Sequence, residues 1–332
     1  MIPLSILDLS LIRDSGSAAE ALSESRLVAQ KAESLGFRRY WVAEHHGMPG
    51  IASAATSVVI GALAAATRSI RVGAGGIMLP NHAPLLIAEQ FGTLDALYPG
   101  RIDLGLGRAP GSDQRTLRAL RRNRDGAERF PQEVLELLAY FAGDEAQTGI
   151  TATPGAGADI PVWLLGSSLF SAELAAALGL PFAFASHFAP QMMEEAIALY
   201  RDRFNPSERL AAPHVMLAMN IVAADTHQEA DYLATSRRLY MAALRQGTPG
   251  RFPHPVATQD LPWGPEISRQ FDEVLSTSLV GTMDEIADGL NRFVERHRPD
   301  EIMMALPIYD LAPRLHALDL AREAGRRAGL TP

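Results

Sequence analysis

The chain has 332 residues, 47 % hydrophobic and 20 % charged, with mean hydropathy near zero, which is enough apolar side chain for a large globular core. A net charge of −8 argues against a nucleic-acid surface, and the absence of cysteine excludes disulfides, iron–sulfur clusters and thiolate zinc. MIPLSILDLS at the N-terminus lacks the basic stretch and apolar core of a signal peptide, so a cytoplasmic location is expected.

In chain order, PLSILDL (3–9) reads as a strand and 17–35 as a helix. RYWVAE (39–44) is the second strand. IASAATSVVIGALAAA (51–66) is too short and too rich in Ala, Ser and Gly for a membrane span, so a buried helix is expected over 52–67. SIRVGAGGIML (69–79), a helix over 84–98 and RIDLGLG (101–107) follow. RTLRALRRNR (115–124) is a basic run without interleaved aromatics, the pattern of a solvated helix rather than a phosphate-binding arm. The second half repeats the alternation: helix 131–142, strand IPVWLLG (160–166), helix 171–179, strand PFAFAS (181–186) and helix 190–204. VMLAMNIVA (215–223), helix 226–245, helix 282–297 and DEIMMAL (300–306) complete it.

Several of these strands are apolar throughout, as when both faces of a parallel sheet are covered. Eight strands alternating with helices predict a closed (β/α)8 TIM barrel. An open doubly wound sheet would need a Gly-rich turn after the first strand, where the chain reads DLSLIRDSGS. No composition break divides the chain, so one domain over 1–332 is expected. Its surplus length falls at 108–130, 143–159 and 246–280, as loop excursions at the C-terminal face of the barrel. The last holds Phe252, Trp263 and Phe271, which suit either a roof lining the barrel mouth or a small satellite core.

Chemistry in such barrels collects at the C-terminal ends of the strands. Those ends carry Asp8, Glu44-His45-His46, Gly75-Gly76, Gly105, Gly107 with Arg108, Ser167 with Ser168, and Ser186 with His187. Glu44 and His46 lie on one side of an extended strand and could ligate a metal with His82 or His187. A hydrolytic centre would draw further carboxylates from other strand ends, where only Asp8 stands, so no metal is expected. Glu44 and His46 then lock the turn. Arg108 beside Ser167, Ser168 and Ser171 at the start of a helix has the makings of a phosphate site. Gly75-Gly76 interrupts a β-branched strand, as where a planar ring lies against bare backbone or where packing is tight.

The pattern resembles the bacterial luciferase-like family of flavin monooxygenases. The resemblance is carried by WVAEHH (41–46), VGAGGIMLP (72–80), AEQFGTLDALYPGRIDLGLGRAPG (88–111) and WLLGSSLFSAELAAALGLP (163–181), in order over the first 190 residues. It is similar to a non-luminescent, alkanal-monooxygenase-like branch, because light-emitting members carry cysteine where this chain has Gly107.

The resemblance implies that reduced FMN (FMNH2) and O2 oxygenate a small organic substrate, an aldehyde being the family default, through a flavin 4a-hydroperoxide. It places His45 beside the reactive flavin edge and Gly75-Gly76 as a non-prolyl cis peptide under the ring. Gly107 lies beside the flavin, and Arg108, Ser167, Ser168 and Ser171 hold its phosphate. It also implies a homodimer through the helices after strands two and three. No nicotinamide motif is visible, so a separate NAD(P)H:flavin reductase would supply FMNH2. Glu89, Asp95 and Arg101 would then be structural charges that pair by opposite sign. Deazaflavin-dependent hydride transfer, or flavin binding without catalysis, is the alternative reading.

Overall fold

A computed structural model describes residues 1–109, 114–122, 126–264, 266–267, 271 and 275–330. Parts of the expected excursions 108–130 and 246–280, and Asn123 and Arg124 of the basic run, lie outside the described residues.

Nine parallel strands form the sheet: β1 Leu4–Asp8, β2 Arg39–Val42, β3 Arg71–Met78, β4 Ile102–Gly107, β5 Val162–Gly166, β6 Phe182–Phe184, β7 Val215–Ala223, β8 Ser278–Gly281 and β9 Glu301–Ala305. β1 to β7 pair in sequence order and β9 joins β7 to β1, closing a ring of eight. The fold is the expected (β/α)8 barrel. β8 was not foreseen: it spans the end of the excursion 246–280 and pairs with the far end of β7, Asn220 to Ala223, which outruns the shorter β9.

The ring is wrapped by α1 Ala18–Ser34, α2 Thr56–Ala66, α3 Pro84–Leu97, α4 Gln114–Ala119, α5 Gly126–Ala142, α6 Glu145–Thr148, α7 Leu169–Leu178, α8 Met193–Asp202, α9 His227–Arg245, α10 Met283–His297 and α11 Leu311–Arg327. Their starts are written locally. Ser17 with Glu20, and Thr282 with Glu285, form reciprocal capping boxes at α1 and α10. Gly179, at φ 60°, ends α7 in the left-handed conformation that glycine adopts freely. Among the described residues no helix is long and apolar enough to cross a membrane.

Period-two alternation divides each strand between two environments. Leu4, Ile6, Tyr40, Val42, Leu104 and Ile302 face the helices and build the main core. Leu7, Trp41, Trp163, Met216 and Met303 fill the barrel interior, where the two tryptophans meet edge to face at 5.5 Å. Beneath them lies an ionic layer. Arg39 Nη1 donates to Asp103 Oδ2 at 2.6 Å and Nε to Glu301 Oε1 at 2.7 Å, while Arg71 Nη2 donates to Asp103 Oδ1 at 2.7 Å.

Asp8 belongs to the outer layer, not to the barrel mouth. It accepts from Arg314 at 2.7 Å and from Tyr40 Oη at 2.5 Å. Arg101 also departs from expectation. It donates to the carbonyls of Ala64, Thr67 and Ile70 rather than pairing with Glu89 or Asp95, and so ties down the chain leaving α2.

Candidate active site

Above the tryptophan layer the strand ends open into a cavity of about 500 Å³. His45, Gly75, Gly76, Gly107, Arg108, Ser167, Ser168 and Ser171 all line it, brought there from four consecutive strands of the ring, β2 to β5. Gly105 and His82 are not among the lining residues, whereas His187 is.

The glycine wall follows from packing. A Cβ on Gly75 would come within 2.9 Å of the Trp41 ring, and one on Gly76 within 2.6 Å of the Gly105 carbonyl oxygen. The peptide between the two glycines is cis, and the β3–β4 register shifts between Ala74 and Ile77. The result is a stretch of cavity wall without side chains.

At the next strand ends, Arg108 stacks over Phe170 at 4.1 Å. Ser168 is the N-cap of the ten-residue α7, yet its side chain makes no capping hydrogen bond. The first N–H groups of α7 and the hydroxyls of Ser167, Ser168 and Ser171 therefore stand with Arg108 at one side of the cavity. Such a set of donors fits a phosphate.

His45 is partly buried, and its Nδ1 is enclosed without a hydrogen-bond partner among the described residues. Burial pushes the imidazole below the ordinary histidine range, with the nearby Ala43 carbonyl and Glu44 carboxylate pulling the other way. It is neutral at neutral pH. His187, which lines the same cavity, is pressed down to about 3 by burial and then by the charges of Arg237 and His45. Glu44 turns away from the cavity and gathers the β2–β3 corner. Its carboxylate accepts from Met78 N at 2.9 Å and meets His46 Nε2 at 2.6 Å and His82 Nε2 at 2.9 Å. Burial alone would raise it, but His82, the Met78 N–H and His46 outweigh burial and hold it low. The three side chains place their donor atoms within 4.8 Å of one another, as a metal site would require. The two Nε2 atoms are nonetheless directed at an ionised carboxylate, which can only accept.

Phe252, Trp263 and Phe271 do not line the cavity. Phe252 packs with Tyr240 and Tyr309, and Phe271 with Met241 and Trp263, as satellite cores behind α9. It is α9 itself that closes this side, through Arg237, Tyr240, Met241 and Leu244. Sequence reasoning missed these four. The signal was present, because 230, 233, 234, 237, 240, 241 and 244 fall on one helical stripe on which Arg237 is the single charge.

A parallel barrel whose mouth joins a cluster of anion-type donors to a bare glycine wall and a partly buried histidine has the form of a cofactor-dependent enzyme. The profile of the family described as luciferase-like monooxygenase matches residues 2–298. A luciferase-like monooxygenase of Escherichia coli (strain K12) is 52 % identical over 97 % of this chain and 96 % of its own length. The N-acetyl-S-alkylcysteine monooxygenase of Bacillus subtilis (strain 168) is 33 % identical over 98 % of each chain. The structure of apo-MsnO8 superimposes with a TM-score of 0.89 at 33 % identity, covering 100 % of both chains. The chain belongs to the luciferase-like monooxygenase family and is a flavin-dependent monooxygenase.

Proposed function

We propose that the protein uses reduced FMN and O2 to oxygenate a small organic substrate at this cavity. The observation that carries the reading is the meeting, in one cavity, of a side-chain-free wall, an uncapped helix N-terminus beside a cation, and a partly buried neutral histidine. The wall at Gly75, Gly76 and Gly107 admits a flat ring, and Arg108, Ser167, Ser168 and Ser171 bind its phosphate. Reduced FMN supplies the electrons that activate O2, and the protein provides binding, orientation and a dry environment. Leu7, Leu9, Ile51, Leu165 and Met241 exclude water from the reacting region. His45 Nδ1 holds or accepts a proton next to the reacting atoms.

The cofactor is reduced elsewhere, by a separate NAD(P)H:flavin reductase. Two copies associate through α2 and α3, which leave Val58 71 % and Leu86 52 % exposed on their outer faces.

The direct test mixes anaerobic protein-bound FMNH2 with O2 in a stopped-flow spectrometer. The expected result is an absorbance transient that depends on oxygen and decays faster when substrate is present. FMN binding without any such transient, and without substrate oxidation, would overturn the reading. In parallel, Arg108→Ala should weaken FMN binding by about tenfold to a hundredfold, the value of a charge-assisted pair.

A further inference from the structure

Arg237 is a buried cation that no carboxylate among the described residues neutralises. It sits on the inward stripe of α9, is only 8 % exposed, and lines the main cavity as well as a second one of about 320 Å³. Its Nε has no hydrogen-bond partner, and among the described residues no carboxylate pairs with it. Asp231, the carboxylate lining the second cavity, is engaged by His227 at 3.3 Å. Burial lowers the guanidinium pKa to about 10, so it stays charged at neutral pH.

Two more unsatisfied polar atoms accompany it. Tyr240 Oη and His187 Nδ1 are buried without partners among the described residues, and both residues line the same cavity. Both are close enough to interact electrostatically with Arg237. Among the described lining residues there are two arginines and two histidines but no Asp or Glu. An uncompensated buried cation is costly, and persists where a ligand supplies the opposite charge. A planar guanidinium with a hydroxyl beside it suits a carboxylate.

Position separates this cation from the phosphate donors. Arg108 and the serines follow β4 and β5, whereas α9 follows β7, four strands round the eight-membered ring from the Gly75-Gly76 wall of β3. A group held by α9 therefore approaches from across the mouth, where a substrate facing the wall would lie.

We propose that Arg237, with Tyr240 and His187 beside it, is the subsite for a carboxylate carried by the substrate, which is accordingly an organic acid with an apolar body. This deepens the monooxygenase reading of the cavity and rests on it. The apolar body lies among Leu9, Met48, Ile51, Met241 and Leu244.

The test compares octanoate with octanamide, its neutral near-isostere, by calorimetric titration of FMN-loaded protein, and in parallel of FMN-free protein in phosphate buffer. Wild type should bind octanoate roughly tenfold or more tightly than octanamide. Arg237→Met should bring the ratio close to one while octanamide affinity holds, and Arg237→Lys should keep part of the preference. A wild-type ratio near one, or a preference that survives in Arg237→Met, overturns the proposal. So does a loss of FMN binding in Arg237→Met without any acid preference in wild type, which assigns the guanidinium to the cofactor. FMN affinity of wild type, read separately from flavin fluorescence, tests the parent reading. If FMN fails to bind but the acid preference holds in phosphate buffer, the cofactor assignment falls and the carboxylate subsite stands.

Discussion

His45 and Gly76 show how single positions set this site. Burial keeps the His45 imidazole neutral, so a role that needs its free nitrogen is available until the pH falls below the ordinary histidine range, 6.5. Turnover should therefore lose activity on the acid side below that value, and His45→Asn should remove that limb. The same substitution should lower kcat by about a hundredfold or more, the usual weight of a general base, while FMN affinity changes only a few-fold. Unchanged turnover would sink the assignment. At Gly76 the constraint is steric. An added methyl would press on the Gly105 carbonyl, which is backbone and cannot swing aside. Gly76→Ala should cost about 1–3 kcal/mol of stability, read as a lower urea midpoint with an unchanged slope.

At the scale of elements, the β2–β3 corner is organised by one carboxylate. Glu44 ties β2 to the Met78 N–H at the end of β3 and to His46 and His82 in the following loops. Glu44→Ala would leave a part-buried N–H and two imidazoles without their acceptor, at a cost of about 2–3 kcal/mol. Because both imidazoles spend Nε2 on Glu44, prolonged dialysis against a chelator should change neither activity nor melting temperature. Loss of a stoichiometric metal together with activity would show that the cluster is a metal centre. The barrel strands were legible because strands covered on both sides are apolar throughout, and that signal is strong in VMLAMNIVA and RIDLGLG. β8 was not, since its four residues pair only because β7 overruns β9. Of the cavity, the residues at strand ends could be read from the sequence. For α9 the stripe with its single charge was legible, but not its destination, because nothing local says that this helix closes the mouth. Nor does the sequence say that Asp8 turns outward: strand position fixes which face a residue takes only once the register is known.

Taken as a whole, the barrel is built in layers, with its ionic layer at the end away from the cavity. Arg39 there bridges Glu301 and Asp103, all three buried, and Trp41 Nε1 adds a hydrogen bond to Asp103 at 3.1 Å. This layer plugs the base of the barrel beneath the tryptophans, and it links β2, β4 and β9, which are far apart in sequence. Burial alone would raise Glu301, but the Arg39 charge, with His214, outweighs it and lowers the carboxyl from 4.5 to about 2. A carboxylate depressed in this way contributes stability that is complete above its unfolded value of 4.5 and is lost as the pH falls from there towards about 2. By linkage the interval corresponds to about 3 kcal/mol. Urea unfolding followed from neutral pH down to about pH 2.5 should show stability falling steeply below pH 4.5. Glu301→Gln should be less stable at neutral pH, because Arg39 loses a buried partner, yet its acid slope should be shallower by roughly one proton. An acid slope identical to that of wild type would mean that Glu301 is not held ionised, and that the base of the barrel is kept together by packing rather than by charge.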